Sequence, residues 1–338
     1  METPNLAHAF AALEPTLIID SVESLGLQSD ARIFPLNSYE NRVYQIGMEQ
    51  PSDTHHDIIG QKIIGKYYRP ERWSNEQILE EHQFTEELAQ LEIPVVAPLA
   101  FNHQTLHQYK GFRFALYPQR GGRTAELDNP QHLERIGRFL GRIHLAAASK
   151  AFEHRPQISV QDFAIDSMAY LLAHGFIPDY LLDAWQSLST DLIKILGQRF
   201  GESTCKPIRL HGDVHRGNIL WTDGGPHFVD FDDCRTGPAI QDIWMLLSGD
   251  ILEQQQQLNH VLDGYFEFAE LNPAELQLVE PLRCLRLMHY ACWLARRWSD
   301  PSFPMNFPWF NTTNYWEQHV LELREQFSLL QENETLHL

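Results

Sequence analysis

Two short segments in the second half of the chain hold polar side chains whose types and spacing suggest chemistry. The first contains His211, Gly212 and Asp213, and Asn218 follows five positions after the aspartate. The second contains Asp230, twelve positions after Asn218. A carboxylate can accept the proton of an attacking hydroxyl, and carboxylate and amide oxygens are ligands that Mg²⁺ prefers. The two segments therefore supply a base and two metal ligands.

Phosphoryl transfer needs this combination of groups. The spacing of Asp213 and Asn218 matches the catalytic loop of kinases, H-x-D-x-x-x-x-N. In such a loop Asp213 would accept the proton of the acceptor hydroxyl, while Asn218 and Asp230 would hold Mg²⁺ against the phosphates of ATP. Asp232 is a supporting candidate in the same acidic run.

The main alternative is a metallohydrolase, with His211, Asp213 and His215 as ligands of zinc or iron. Alternating positions share a face only on a strand. Gly212 and Gly217 favour a loop at this point, so the phosphotransferase interpretation is preferred.

A predicted hairpin brings the two segments together. Strand-like runs at 219–221 and 228–229 flank Asp223, Gly224 and Gly225, a combination typical of a tight turn. The second strand would return the chain so that Asp230 faces Asn218.

The earlier part of the chain predicts short strands with one helix among them. Residues 43–46 and 62–68 are rich in β-branched and aromatic side chains, as strands are. Ser74 and Gln77 form a predicted capping box that opens the helix. The rest of the chain reads mostly as helices, but residues 299–310 hold too much proline to be helical. We expect a nucleotide-binding N-lobe at 1–116 and a catalytic C-lobe at 117–338, with a hinge at Gly121 and Gly122.

An ATP site needs a cation for the α- and β-phosphates and a helix carboxylate that holds the cation in place. Lys66 is the preferred cation, because it lies nearer the predicted helix than Lys62, which has the same strand parity. Glu81 is the preferred carboxylate, because it shares the apolar helix face of Phe84 and Leu88. An exposed helix glutamate remains the alternative.

The chain has no G-x-G-x-x-G motif. The segment 36–44, Leu-Asn-Ser-Tyr-Glu-Asn-Arg-Val-Tyr, stands where that loop would be. A turn rich in Asn and Ser can direct N–H groups and a hydroxyl at phosphates, so Ser38 is a candidate nucleotide contact. An ordinary hairpin turn is the alternative.

Charge, hydropathy and cysteine spacing disfavour several classes of protein. The formal charge is 26 − 45 = −19 over 338 residues, which disfavours binding to nucleic acid or to an anionic membrane. No apolar run reaches the ~18 residues of a membrane span, and the first residues do not form a secretory signal. The four cysteines have no C-x-x-C spacing, as expected for reduced thiols. We expect a cytoplasmic protein.

The loop pattern H-G-D-x-H-x-x-N resembles the aminoglycoside phosphotransferase and choline kinase-like superfamily. Segments 36–44, 68–73, 78–84 and 306–309 are similar, more narrowly, to the bacterial stress response kinase A family of serine/threonine protein kinases. That resemblance implies an α+β, bilobal protein-kinase-like fold with a small β-rich N-lobe and a large helical C-lobe. It also implies Mg²⁺ and ATP, protein substrates, autophosphorylation, a monomer and a role in stress survival.

By the same resemblance Asp213 is the proton acceptor, Asn218 and Asp230 bind Mg²⁺, and Ser38 is the nucleotide-site serine. Asp242 would support the catalytic loop from the start of a helix. One departure is Gly65, directly before Lys66, where we expect a branched residue to pack the strand better.

The residues leave the acceptor open. A protein serine/threonine kinase, a small-molecule hydroxyl kinase acting on an aminoglycoside, choline or homoserine, and a pseudokinase used as a binding module are all compatible with the loop. Acidic side chains beside the base would favour a cationic small substrate. The intact set of Asp213, Asn218, Asp230 and Lys66 disfavours the pseudokinase.

Overall fold

The computed structural model describes residues 9–49, 61–332 and 336–338. Contacts divide the chain into two compact units. The first contains the described residues up to Ala125 together with Glu153–Arg155 and Arg216–Asp232, and the second contains the remainder. The first unit is rich in strands and the second is mainly helical. The lobe boundary at residue 116 stays a prediction.

The strands, in chain order, are β1 (Ser29–Pro35), β2 (Arg42–Met48), β3 (Lys62–Tyr67), β4 (His107–Tyr109), β5 (Phe112–Pro118), β6 (Arg123–Thr124), β7 (Ile208–Leu210), β8 (Ile219–Thr222), β9 (Gly225–Phe228) and β10 (Arg235–Gly237). The helices are α1 (Pro15–Glu23), α2 (Asn75–Gln90), α3 (Pro130–Ala147), α4 (Asp166–Ala173), α5 (Asp179–Glu202), α6 (Gln241–Trp244), α7 (Ile251–Tyr265), α8 (Val279–Arg296), α9 (Ser302–Asn306) and α10 (Thr313–Glu332). A π-helical turn at Gln161–Ile165 leads into α4.

The first unit is built on a five-stranded antiparallel sheet in the order β1-β2-β3-β5-β4. Lys66 lies on β3 opposite Val43 of β2 and Ala115 of β5, so it occupies the middle of the sheet. Alternate side chains of these strands form an apolar core with α1, in which Ile18 and Val22 are fully buried. The sheet therefore gives Lys66 a rigid support.

Gly65 lies where neighbouring side chains leave little room for a Cβ atom. A Cβ atom added there would lie 3.0 Å from Cδ1 of Ile46 and 3.3 Å from Cε2 of Tyr67. Those distances are tighter than ordinary van der Waals contact, because the larger neighbours already fill the space. These neighbours would have to shift by a few tenths of an ångström to admit a Cβ atom, and the expectation that a branched residue packs better stays a prediction.

Helix α2 begins with the predicted capping box. The hydroxyl of Ser74 accepts from the N–H of Gln77 at 3.2 Å, and the Gln77 side chain accepts from the N–H of Ser74 at 2.9 Å. The buried face of the helix carries Glu81 together with Phe84 and Leu88. The predicted capping box and the predicted position of Glu81 are both confirmed, and helical spacing places Glu81, Phe84 and Leu88 on one side of the helix.

The structure contains two helices that the sequence did not predict. The first unit contains α1 as well as α2. Pro15 at the first turn and the i, i+4 pair Ile18 and Val22 carry the signal that was missed. The segment 299–310 contains the short helix α9, with Pro301 as its N-cap residue. A proline is tolerated at a helix start, where its missing N–H would have no intrahelical partner.

The predicted hairpin is confirmed as β8 and β9, whose ladder pairs Ile219 with Phe228 and Thr222 with Gly225. β6 pairs with β8 to make a three-stranded sheet. Beyond the ladder, the N–H of Val229 donates to the carbonyl of Asn218 at 3.0 Å. This bond joins the residue before Asp230 to Asn218, so the chain returns where the hairpin was predicted to bring it.

The second unit packs helices around α8, whose apolar positions are almost fully buried. The strands β7 and β10 pair antiparallel, with Leu210 opposite Arg235. β7 ends at the residue before His211, so this ladder fixes the start of the catalytic loop. No helix within the described ranges has both the length and the apolar composition to cross a bilayer.

His319 on α10 makes the second unit sensitive to acid. Its side chain is 1% exposed, and burial lowers the pKa of the ring from 6.5 to about 4. As pH falls from 6.5, the unfolded chain therefore binds a proton here that the folded chain excludes. The neutral ring stabilises the fold above pH 6.5, and that contribution is lost as pH falls toward 4.

The unfolding free energy of the wild type should fall as pH drops from 7 to about 5. In His319→Phe the fall should be about 2 kcal/mol smaller, because the variant has no ring to protonate, and urea titration at each pH measures both. His174→Phe, at an exposed position, is the control and should follow the wild type. Equal losses in the wild type and in His319→Phe would contradict this assignment.

Candidate active site

In the first unit, Lys66 lies among three carboxylates. Its Nζ is 3.3 Å from Oε1 of Glu81, 3.3 Å from Oδ1 of Asp230 and 3.0 Å from Oδ1 of Asp232. The lysine side chain is only 8% exposed. Burial alone would lower the pKa of Lys66, but the charges of the three carboxylates outweigh burial and raise that pKa well above its usual value. The site therefore holds a fixed ammonium group.

Glu81 is held from two sides. Its second oxygen, Oε2, accepts a 2.8 Å bond from Arg155, whose side chain is completely buried. The same guanidinium donates to the carbonyls of Gln77 and Asp232 at 2.8 and 2.7 Å. Burial raises the pKa of Glu81, and the charges of Lys66 and Arg155 act against that rise. Arg155 thus fixes the carboxylate that in turn orients Lys66.

Replacing Arg155 is expected to destabilise the first unit strongly. Arg155→Gln leaves Glu81 buried with one fewer cation and deprives two carbonyls of their donor. Breaking a buried ion pair of this kind costs about 3–5 kcal/mol of unfolding free energy. Arg32→Gln is the control, because Arg32 pairs with Asp30 at the surface with 72% of its side chain exposed. That change should leave the unfolding free energy close to the wild-type value, so equal losses in the two variants by urea unfolding would refute the role of Arg155.

A series of ion pairs connects Asp232 to the β1–β2 loop. Arg72 forms an ion pair with Asp232 and lies 3.6 Å from Oε1 of Glu40, and Arg69 contacts the same glutamate oxygen at 3.2 Å. The side chain of Asn41 also accepts from the N–H of Arg69 at 3.0 Å. These contacts fix the end of the β1–β2 loop that follows Ser38.

Ser38 itself is partly exposed between β1 and β2. The structure places it in the predicted loop. Its contact with nucleotide stays a prediction.

Asn218 and Asp230 supply the donors of the candidate metal site. Asp230 has a side chain that is 54% exposed and a left-handed backbone with φ +61°, a conformation that Asp and Asn adopt more readily than most residues. Asn218 ends a 3₁₀ turn directly before β8. A carboxylate and an amide oxygen, one of them open to solvent, fit the hard oxygen ligands that Mg²⁺ requires.

Asp213 belongs to the second unit, and each of its two oxygens has a different side-chain partner. Arg286 donates to Oδ1 at 2.8 Å, and Nε2 of His215 lies 3.3 Å from Oδ2. Burial by itself would raise the pKa of Asp213, but the hydrogen bond from His215 and the charge of Arg286 outweigh it. The pKa therefore lies below its usual value, and the carboxylate is ionised at neutral pH.

Asp242 fixes the backbone of the catalytic loop. Its carboxylate accepts 2.8 Å bonds from the N–H groups of His211 and Gly212, and His144 lies 3.2 Å away. Gly212 has φ +87°, and a Cβ atom there would lie 2.2 Å from the carbonyl oxygen of Asp233. This is the supporting role that the resemblance implies for Asp242.

The metallohydrolase alternative does not fit this geometry. His211 is fully buried, and its Nδ1 accepts from the N–H of Asp213 at 3.3 Å, so the ring stabilises the loop. Across the described residues, no three side chains of His, Cys, Asp or Glu form a group that could hold a metal ion. The loop conformation predicted from Gly212 agrees with both observations.

Sequence reasoning missed three arginines that contact the site carboxylates, namely Arg72, Arg155 and Arg286. Each lies more than 70 positions from its carboxylate partner. No local spacing connects residues so far apart, so periodicity gave no signal for them.

Comparison with known proteins identifies the family. Residues 33–278 match the model of the phosphotransferase enzyme family. The chain is 46% identical over 328 residues to stress response kinase A of Escherichia coli O157:H7, covering 97% of both proteins. It is 44% identical over 326 residues to the serine/threonine protein kinase RdoA of Salmonella typhimurium, covering 96% of both.

Solved structures show the same fold at low identity. An amicoumacin kinase in complex with AMP-PNP, Ca²⁺ and Ami superposes with a TM-score of 0.72 at 20% identity, covering 94% of this chain and 95% of that one. Choline kinase from Cryptosporidium parvum superposes with a TM-score of 0.62 at 10% identity, covering 94% and 97%. The predicted α+β kinase-like fold is confirmed.

This chain belongs to the phosphotransferase enzyme family and, within it, to the stress response kinase A family. It is a phosphotransferase.

Proposed function

We propose that this enzyme transfers the γ-phosphoryl group of ATP to serine and threonine hydroxyls of proteins, itself included, in a bacterial stress response. The observation that carries the proposal is the near full-length identity of 46% and 44% to the two named kinases, together with the presence of Asp213, Asn218, Asp230 and Lys66. The donor set supports the use of Mg²⁺ and ATP, and so do the nucleotide analogue and divalent cation of the amicoumacin kinase complex.

Each residue has a distinct task in this reaction. Lys66, held by Glu81, contacts the α- and β-phosphates of ATP. Asn218 and Asp230 would hold Mg²⁺, which when bound neutralises the charge of the phosphates. Asp213 orients the acceptor hydroxyl and takes its proton. The acceptor oxygen forms a bond to the γ-phosphorus, the bond from that phosphorus to the β–γ bridging oxygen breaks, and ADP leaves.

Incubation of the full chain with labelled ATP and Mg²⁺ tests the proposal. Label should appear on serine or threonine of the chain and of an added protein such as casein, and a chelator should prevent it. Parallel reactions contain choline, homoserine or an aminoglycoside as the acceptor. Transfer to these compounds and to no protein would replace the protein kinase with a small-molecule kinase. Binding of nucleotide without transfer to any acceptor would indicate a pseudokinase.

A further inference from the structure

The immediate surroundings of Asp213 carry as much positive as negative charge. Arg286 contacts one of its oxygens and His215 the other. The nearby carboxylate of Asp233 is already paired with Arg235, at 2.8 Å. The whole chain has a formal charge of −19, so this balance is local to the base. Asp233, the acidic neighbour of the base, is therefore already compensated by Arg235.

Arg286 is positioned to meet an acceptor. It projects from α8, whose buried apolar positions anchor the helix in the second unit. The guanidinium contacts Oδ1 of Asp213 and the sulfur of Met245 through the same nitrogen, Nη1. Its side chain is 43% exposed, against 22% for Asp213. A half-exposed guanidinium can exchange one carboxylate for another at modest cost, because water screens the pair.

We propose that Arg286 binds an acidic group next to the acceptor hydroxyl, so that the enzyme prefers serine or threonine flanked by Asp or Glu. An incoming carboxylate would replace Asp213 as the ion-pair partner of the guanidinium, which pairs well with planar anions. Oδ1 of Asp213 could then accept from the acceptor hydroxyl. A lysine or arginine beside the acceptor would instead meet Arg286 and His215. This inference rests on the proposed function and names the substrate class of the same site.

Three peptides of equal length test it on the full chain with Mg²⁺ and ATP. Each holds one serine, flanked by glutamate, glutamine or lysine. We expect kcat/KM to be about tenfold higher for the glutamate peptide than for the glutamine peptide, and lowest for the lysine peptide. In Arg286→Gln the three values should converge to within about twofold, and Arg286→Glu should favour the lysine peptide.

Arg283→Gln is the matched control. Arg283 lies one turn earlier on α8, where it pairs with Glu280 at 2.5 Å and contacts Gln254. This variant should keep the wild-type order of peptides. The urea unfolding midpoint is measured for every variant, because an Arg286 variant that unfolds at the wild-type midpoint is folded.

The outcomes distinguish a failure of the acidic preference from a failure of the proposed protein kinase activity. Equal kcat/KM for the three peptides in the wild type, or an unchanged order in Arg286→Gln, would overturn the acidic preference while the protein kinase activity stands. Transfer to a small hydroxy acid and to none of the peptides or proteins would overturn both.

Discussion

Asp213→Asn is expected to lower the rate of phosphoryl transfer by about 10²–10⁴-fold and to leave nucleotide affinity within about twofold. The amide keeps the shape of the side chain but cannot take the acceptor proton. Asp213 belongs to the second unit, whereas Lys66, Asn218 and Asp230 belong to the first, so the change removes no group assigned to nucleotide binding. Single-turnover transfer and a nucleotide titration measure the two effects separately.

Asp223→Asn is the control for this prediction. Asp223 lies exposed in the turn between β8 and β9, and the substitution has the same chemistry. The control should transfer phosphate at the wild-type rate. Normal turnover by Asp213→Asn would show that another group is the base.

Asp230→Asn is expected to lower the transfer rate by about 10²-fold or more and also to remove the dependence of nucleotide affinity on Mg²⁺. The variant loses the charged oxygen that suits Mg²⁺ best. Asparagine is the informative substitution because residue 230 has φ +61°, where alanine would add backbone strain of about 1–2 kcal/mol. A loss of binding in Asp230→Ala would therefore mix strain with the missing ligand.

Nucleotide affinity measured with excess Mg²⁺ and with a chelator decides this second prediction. The wild type should bind more tightly with Mg²⁺, and Asp230→Asn should give similar values in the two conditions. Its urea unfolding midpoint should stay close to that of the wild type, because the side chain is 54% exposed. A full Mg²⁺ effect in Asp230→Asn would remove residue 230 from the metal site.

The local elements of the site could be predicted because their signals lie within a few residues. The capping box at Ser74, the position of Glu81 on the apolar face of α2 and the turn between β8 and β9 all follow from spacing. The helix α1 carries a similar signal, whereas the proline content of 299–310 predicts no helix and α9 nevertheless begins after Pro301. The packing at Gly65 could not be predicted, because it depends on Ile46 of the neighbouring strand.

The family comparisons and the sequence reasoning agree on the class of enzyme for the same reason. Phosphoryl transfer requires a base, an amide and a carboxylate at fixed separations along one loop and hairpin, and that requirement is visible in the residue order. The acceptor has no such local signature. Charge around Asp213 is contributed by Arg286, 73 positions away on α8.

By itself the sequence predicted a catalytic loop at Asp213 and Asn218, and it determined the returning hairpin before Asp230 and the pairing of Lys66 with Glu81. These follow from short-range spacing and from the alternation of strand and helix faces. Only the tertiary structure decided which cations surround the carboxylates: Arg155 at Glu81, Arg72 at Asp232 and Arg286 at Asp213. The physical reason is that an ion pair depends on a few ångströms in space, and folding brings together charges whose separation along the chain carries no information about that distance.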